Sequence, residues 1–176
     1  MELLALPYLE VAIRITVAML LGLLVGAERS HVGKSAGMRT YALVSLGAAL
    51  FILISEMISA NYLASGIFDK TSLDPTRIAS QLVVGIGFLG AGVIFVQRQI
   101  LTGLTTAAGL WVVAAIGAAA GFGLYVIATY VTFLTLVIFE VLWYVEERFI
   151  RTARNDLEEE FIESARRPRH HNEEEG

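Results

Sequence analysis

The sequence predicts an all-α polytopic membrane protein of about five transmembrane helices, and three observations carry that prediction. Of its 176 residues, 56% are hydrophobic and only 17% charged, against about 25% charged in an ordinary soluble domain. Mean hydropathy is +0.65. The charges are also clustered, which leaves charge-poor stretches of about 20 residues, the length a helix needs to cross a hydrocarbon core of about 30 Å.

The first span runs from about Tyr8 to Ala27, with Glu10 and Arg14 near its start and Glu28-Arg29 at its end. Met1 to Pro7 lacks the basic segment and small-residue cleavage site of a signal peptide, so this span is expected to stay in the mature protein. The second span covers about Thr40 to Ala60 and carries Glu56 near its far end. The third, about Ile78 to Val96, has Gln81 as its only strongly polar side chain. After Arg98 an uncharged run extends from Gln99 to Phe139, about twice one span, and must hold two helices. The turn between them is expected within Gly117-Ala-Ala-Ala-Gly121-Phe-Gly123, which gives spans at about Leu101 to Ala120 and Leu124 to Tyr144. Residues 1–145 thus form a transmembrane domain, and residues 146–176 a charged cytoplasmic tail that begins as helix and becomes disordered.

Basic residues collect in the first loop (Arg29, Lys34, Arg39), in the third (Arg98) and after the last span (Arg148, Arg151, Arg154). Basic residues are retained on the cytoplasmic side, which puts the N-terminus outside and the C-terminus in the cytoplasm. The formal net charge of −4 provides no basic footprint, so nucleic acid is excluded as a partner. With no cysteine, thiolate catalysis and cysteine-based metal sites are also excluded. His31, His170 and His171 have no metal-ligand spacing, and no nucleophile stands with a base. An enzyme is not expected, nor a bound organic cofactor.

Gly85-Ile-Gly87-Phe-Leu-Gly90 matches the dinucleotide-binding pattern G-x-G-x-x-G by letter. These glycines fall inside a span, with no preceding strand and no acidic residue about 20 positions on, so that chemistry is ruled out. Small residues in bilayer helices instead let backbones approach, and the same reading applies to Gly22/Gly26, Gly92 and Gly117/Gly121. A match between Val25-Gly26-Ala27 and Leu89-Gly90-Ala91, and between Gly37-Met-Arg-Thr40 and Gly103-Leu-Thr-Thr106, points either to a parallel repeat of two helices plus two, or to coincidence among small residues.

The polar residues that lipid would penalise form the candidate site. Asp74 and Pro75 are placed to cap and open the third helix, with Arg77 and Gln81 on one face entering the membrane. Glu28 and Arg39 stand at one boundary, close enough to pair across a short loop. Glu28, Asp74, Thr105 and Thr106 offer the oxygen chemistry that a hard cation such as Mg²⁺ accepts, with Glu28 and Asp74 as the metal-ligand candidates. Glu56 and Glu140 are read as interfacial.

Three blocks resemble the MgtC/SapB family of bacterial inner-membrane proteins. They are Gly22-Leu-Leu-Val-Gly-Ala-Glu-Arg29 with Ala36-Gly-Met-Arg-Thr40, Asp74-Pro-Thr-Arg-Ile-Ala-Ser-Gln81 with Gly85-Ile-Gly-Phe-Leu-Gly-Ala-Gly92, and Gly103-Leu-Thr-Thr-Ala-Ala-Gly109 with Ala114-Ala-Ile-Gly117. The resemblance implies four or five membrane helices and a link to growth at low magnesium and, in pathogens, to survival inside host cells. It also implies one of two activities. The chain is either a transporter with Mg²⁺ or another cation as substrate, or a regulator of other membrane proteins such as ATP synthase and P-type cation pumps. The expected surroundings are the inner membrane and its lipids, a homo-oligomer, and a membrane-protein partner in the regulatory case. A polar cluster of Glu28, Arg39, Asp74, Arg77, Gln81, Thr105 and Thr106 would line a path or form a contact.

Overall fold

The computed structural model describes residues 8–65, 76–97 and 100–166. In chain order these form α1 (Tyr8–His31), α2 (Met38–Ser65), α3 (Thr76–Val93), β1 (Phe95–Gln97), β2 (Ile100–Thr102), α4 (Leu104–Gly121) and α5 (Tyr125–Arg166). Among the described residues four stretches are long and apolar enough to cross a membrane: Tyr8–His31, Met38–Asn61, Leu104–Gly121 and Tyr125–Val145. The apolar part of α3, Ser80–Val93, is shorter. The protein is an all-α polytopic membrane protein.

Two compact units divide the chain, Met1–Leu136 and Val137–Gly176. In the first, α1, α2 and α4 pack against one another, while α3 leans on α4 and, more lightly, on α2. The inward face of α1 carries Arg14, Ala18, Gly22, Val25, Gly26 and Arg29, a stripe at helical spacing that is small in its middle and charged at both ends. Large apolar side chains such as Leu20, Leu24, Phe51 and Phe133 face outward, as a lipid solvent requires. In the second unit, α5 stays helical to Arg166, through the first part of the segment expected to be a tail.

Small residues set the helix spacing. A Cβ on Gly22 would lie 2.6 Å from Ser45 Cβ and 2.7 Å from the Tyr41 carbonyl, and one on Gly26 would lie 2.7 Å from Met38 Cα. Gly117 packs on the Ser45 carbonyl, and a Cβ on Gly121 would meet the Ala49 carbonyl at 2.9 Å. Both glycine pairs therefore bring α2 to its neighbours within one chain. The pairs aligned in sequence occupy matching places, Gly26 against Tyr41 and Gly90 against Ala107, but the second contact is looser, with a Gly90 Cβ 3.7 Å from Ala107 Cβ. Gly85, Gly87 and Gly92 face open space.

Of the two boundaries of the fourth span, the later stands where it is expected and the earlier moves. The turn after α4 falls at Phe122 to Leu124, with Gly123 at φ +76°, and Gly117 stays inside the helix because its packing on α2 needs a regular backbone there. The expected end of the third span and start of the fourth instead pair as antiparallel strands, Phe95 with Thr102, Val96 with Leu101 and Gln97 with Ile100. The β-branched and aromatic residues around Gln97 suit a strand. Gly103, at φ +88° and against the Val93 carbonyl, then starts α4 at Leu104.

Candidate functional site

The buried charge lies at the two ends of the α1/α2/α4 trio. At one end α1 finishes with Glu28-Arg29. The Arg29 side chain is 3% exposed and that of Glu28 12%. Arg29 Nη2 donates to Glu28 Oε1 at 2.6 Å and Nε donates to Oε2, so both carboxylate oxygens are held by one guanidinium. Ser30 Oγ accepts the Met38 backbone N–H at 3.0 Å, which ties the end of α1 to the start of α2. Tyr41, fully buried one turn into α2, donates its hydroxyl to the Thr106 carbonyl at 3.3 Å and lies within the electrostatic field of both Glu28 and Arg29. Gly26 makes this possible, because any side chain there would displace Tyr41.

The opposite end is built on Arg14, whose side chain is 9% exposed. Its Nη2 and Nε donate to Glu10 Oε1 at 2.5 and 3.1 Å. Its Nη1 donates to Glu56 Oε2 at 2.7 Å and to the Gly121 carbonyl at 3.0 Å. One guanidinium thus joins the first turns of α1, the far part of α2 and the Gly121 carbonyl at the end of α4. In the sequence alone Glu56 reads as interfacial, and Arg14 as a charge near the start of the first span. The available signal was the Glu10/Arg14 pair, four residues apart inside a span, where a cation needs an anionic partner.

Between the two ends the trio is apolar and tightly packed. Ser45 Oγ donates to the Ala18 carbonyl at 2.6 Å, and Ala49, Ile52, Val113 and Ile116 are at most 1% exposed.

The residues of the expected cluster are dispersed. Glu28 and Thr106 stand at the Tyr41 end, where Thr106 contributes its carbonyl, and Thr105 beside it is exposed. Arg39 lies on the exposed side of the first turn of α2, and Glu28 pairs with Arg29 instead, its neighbour in sequence. Arg77 and Gln81 are exposed on the first half of α3, which begins at the Arg14 end. Asp74 lies outside the described residues. Among the described residues no group of three or more His, Cys, Asp or Glu side chains is placed to hold a metal ion. Glu28 is half of a possible ligand pair, and its oxygens are engaged by Arg29.

A sequence profile of the MgtC family matches residues 15–148. The chain is 45% identical over 132 residues to the Escherichia coli K12 protein named "Putative magnesium transporter YhiD", covering 75% of this chain and 60% of that one. It is 43% identical over 118 residues to "Protein MgtC" of Brucella abortus strain 2308, covering 67% of this chain and 45% of that protein. Against "Protein MgtC" of Salmonella typhimurium strain 14028s it is 47% identical over 117 residues, covering 66% and 44%. The chain thus spans about half the length of these relatives. No solved structure is a significant match.

Proposed function

The chain belongs to the MgtC family, and we propose on that premise that it serves magnesium homeostasis as a regulator embedded in the bacterial inner membrane, rather than as an ion conduit. The observation that carries this reading is the neutralised trio: the described acids at its two ends are each held by an arginine, and the interior between them is closed by glycine and alanine contacts. A hard cation would have to displace Arg29 to reach Glu28 and then pass a dehydrated, close-packed middle, which costs far more than a bound carboxylate can offset. The orientation follows the basic loops, with the Tyr41 end cytoplasmic and the Arg14 end outside. A regulator in this setting acts through its outward faces on a neighbouring membrane protein.

A second reading, transport of Mg²⁺, draws on the printed name of the Escherichia coli relative and on the groove beside α3 that Gln81 lines. The two readings separate in a strain that lacks its own copy and grows at low magnesium. Glu28→Gln with Arg29→Gln removes both charges of the pair together, so that neither is left facing an uncharged partner. The regulatory reading expects this double variant, at normal membrane levels, to support growth. Loss of growth at those levels favours a path through Glu28.

A further inference from the structure

Four acids lie within the four spans of the described residues. Glu10, Glu28 and Glu56 are each held by an arginine. Glu140, on α5, is exposed and has no hydrogen bond or ion pair among the described residues. It stands five residues before Val145, where the α5 span ends, and so about 8 Å inside that end at the rise of an α-helix.

The sequence alone puts Glu140 at an interface, and its helix works against that position. Helical side chains lean toward the N-terminus. Arg148 shows the lean on this helix, its Nη1 donating to the Tyr144 hydroxyl one turn earlier at 2.9 Å. For Glu140 the same lean points toward the middle of the span, and its short stem does not turn back to water as a lysine or arginine stem does. A carboxylate among lipid tails is costly until it meets a partner.

The surface around it has the form of a helix seam. Ala128, Thr132 and Thr135 make a buried stripe on α5. The opposite side carries Val126, Tyr130, Phe133, Val137, Glu140 and Tyr144, all exposed and spaced alternately four and three residues apart. That spacing suits two nearly parallel helices packed side by side, and one polar residue in such a seam fixes register and partner.

We propose that this stripe is the docking face for a transmembrane helix of another protein, and that the helix carries a lysine or arginine that pairs with Glu140. Charge decides the occupant. A second copy lies the same way up in the membrane, so packing by the same stripe would set Glu140 against Glu140. Nor do the described residues offer a lipid-facing cation at that depth. Arg14 and Arg29 are buried and engaged, while Arg39 and Arg77 stand in the first turns of α2 and α3. This partner chemistry deepens the regulatory reading and rests on it; that reading stands or falls on magnesium uptake, to which Glu140 does not contribute, so the two fail separately.

Energy transfer in liposomes tests the pairing with the full chain. The natural sequence has no cysteine, so a donor dye goes on one added after Gly176, and the probes are acceptor-labelled, tryptophan-flanked leucine-alanine transmembrane peptides. One carries a lysine about 8 Å inside one end, the second a glutamate there and the third a leucine. The lysine peptide should reach half-maximal transfer at a peptide-to-lipid ratio about 3- to 30-fold lower than the leucine peptide, the range of one polar contact between membrane helices. Glu140→Leu should abolish that advantage, and Glu140→Lys should move it to the glutamate peptide. The comparison of the three peptides on the wild-type chain needs no variant. Equal transfer to the lysine and leucine peptides overturns the proposal, as does a lysine advantage that survives Glu140→Leu. Transfer between donor- and acceptor-labelled copies of the chain, lost in Glu140→Leu, would assign the stripe to a second copy and overturns it too.

Discussion

The backbone carbonyl of Ser45 occupies the space where a side chain on Gly117 would stand. The hydroxyl of the same serine donates to the Ala18 carbonyl on the other side. One residue of α2 therefore fixes the distance to α4 through its main chain and to α1 through its side chain, at the middle of the trio.

Gly117→Ala should accordingly be severe for so small a change. The added methyl meets the Ser45 backbone, which cannot rotate away as a side chain can, and overpacking of this kind costs about 1–3 kcal/mol or more. The opposite is expected at Gly85, where a methyl enters open space and the helix gains about 0.5–1 kcal/mol from reduced backbone freedom. Unfolding of the two variants in a graded denaturing detergent checks both signs at once.

At the Arg14 end, the penalty should depend on which charge is orphaned. Glu10 and Glu56 side chains are 39% exposed, whereas that of Arg14 is 9% exposed. Glu10→Gln with Glu56→Gln leaves a buried, unpaired guanidinium and should cost about 3–5 kcal/mol. Arg14→Gln leaves two carboxylates that reach polar surroundings, and should cost less, about 1–3 kcal/mol. Thermal unfolding of the purified variants should rank them in that order; the reverse ranking would mean that Arg14 contributes mainly through the Gly121 carbonyl.

Tyr41 combines a packed ring with one hydrogen bond. Tyr41→Phe keeps the ring and loses the 3.3 Å bond to the Thr106 carbonyl, a loss of about 0.5–1.5 kcal/mol. Tyr41→Ala also opens a cavity beneath Gly26, and should cost about 3–5 kcal/mol, as other large aromatic truncations do. A similar effect of both variants in the same unfolding assay would locate the contribution of Tyr41 in its hydroxyl.

The helices were legible because lipid enforces length and charge rules that a sequence displays directly. Glu28 at a boundary was legible for the same reason. The partner of Glu56 was not, since Arg14 lies 42 positions away and only the packing of α1 on α2 brings them together. Hydropathy alone does not separate strand from helix on either side of Arg98, so Phe95–Gln97 and Ile100–Thr102 read in sequence as helix ends. Gly117 and Gly123 look alike in sequence, yet one is a packing surface inside α4 and the other a left-handed turn. That difference is decided by Ser45, which no local pattern reveals.

The proposed regulator passes no ions through the trio. Magnesium uptake into proteoliposomes loaded with a fluorescent Mg²⁺ indicator, with a magnesium ionophore as the positive control, tests it most directly. Folded wild-type protein should leave uptake at the level of protein-free vesicles. Saturable uptake above that level, lost in an inserted and folded Glu28→Gln variant, would contradict it.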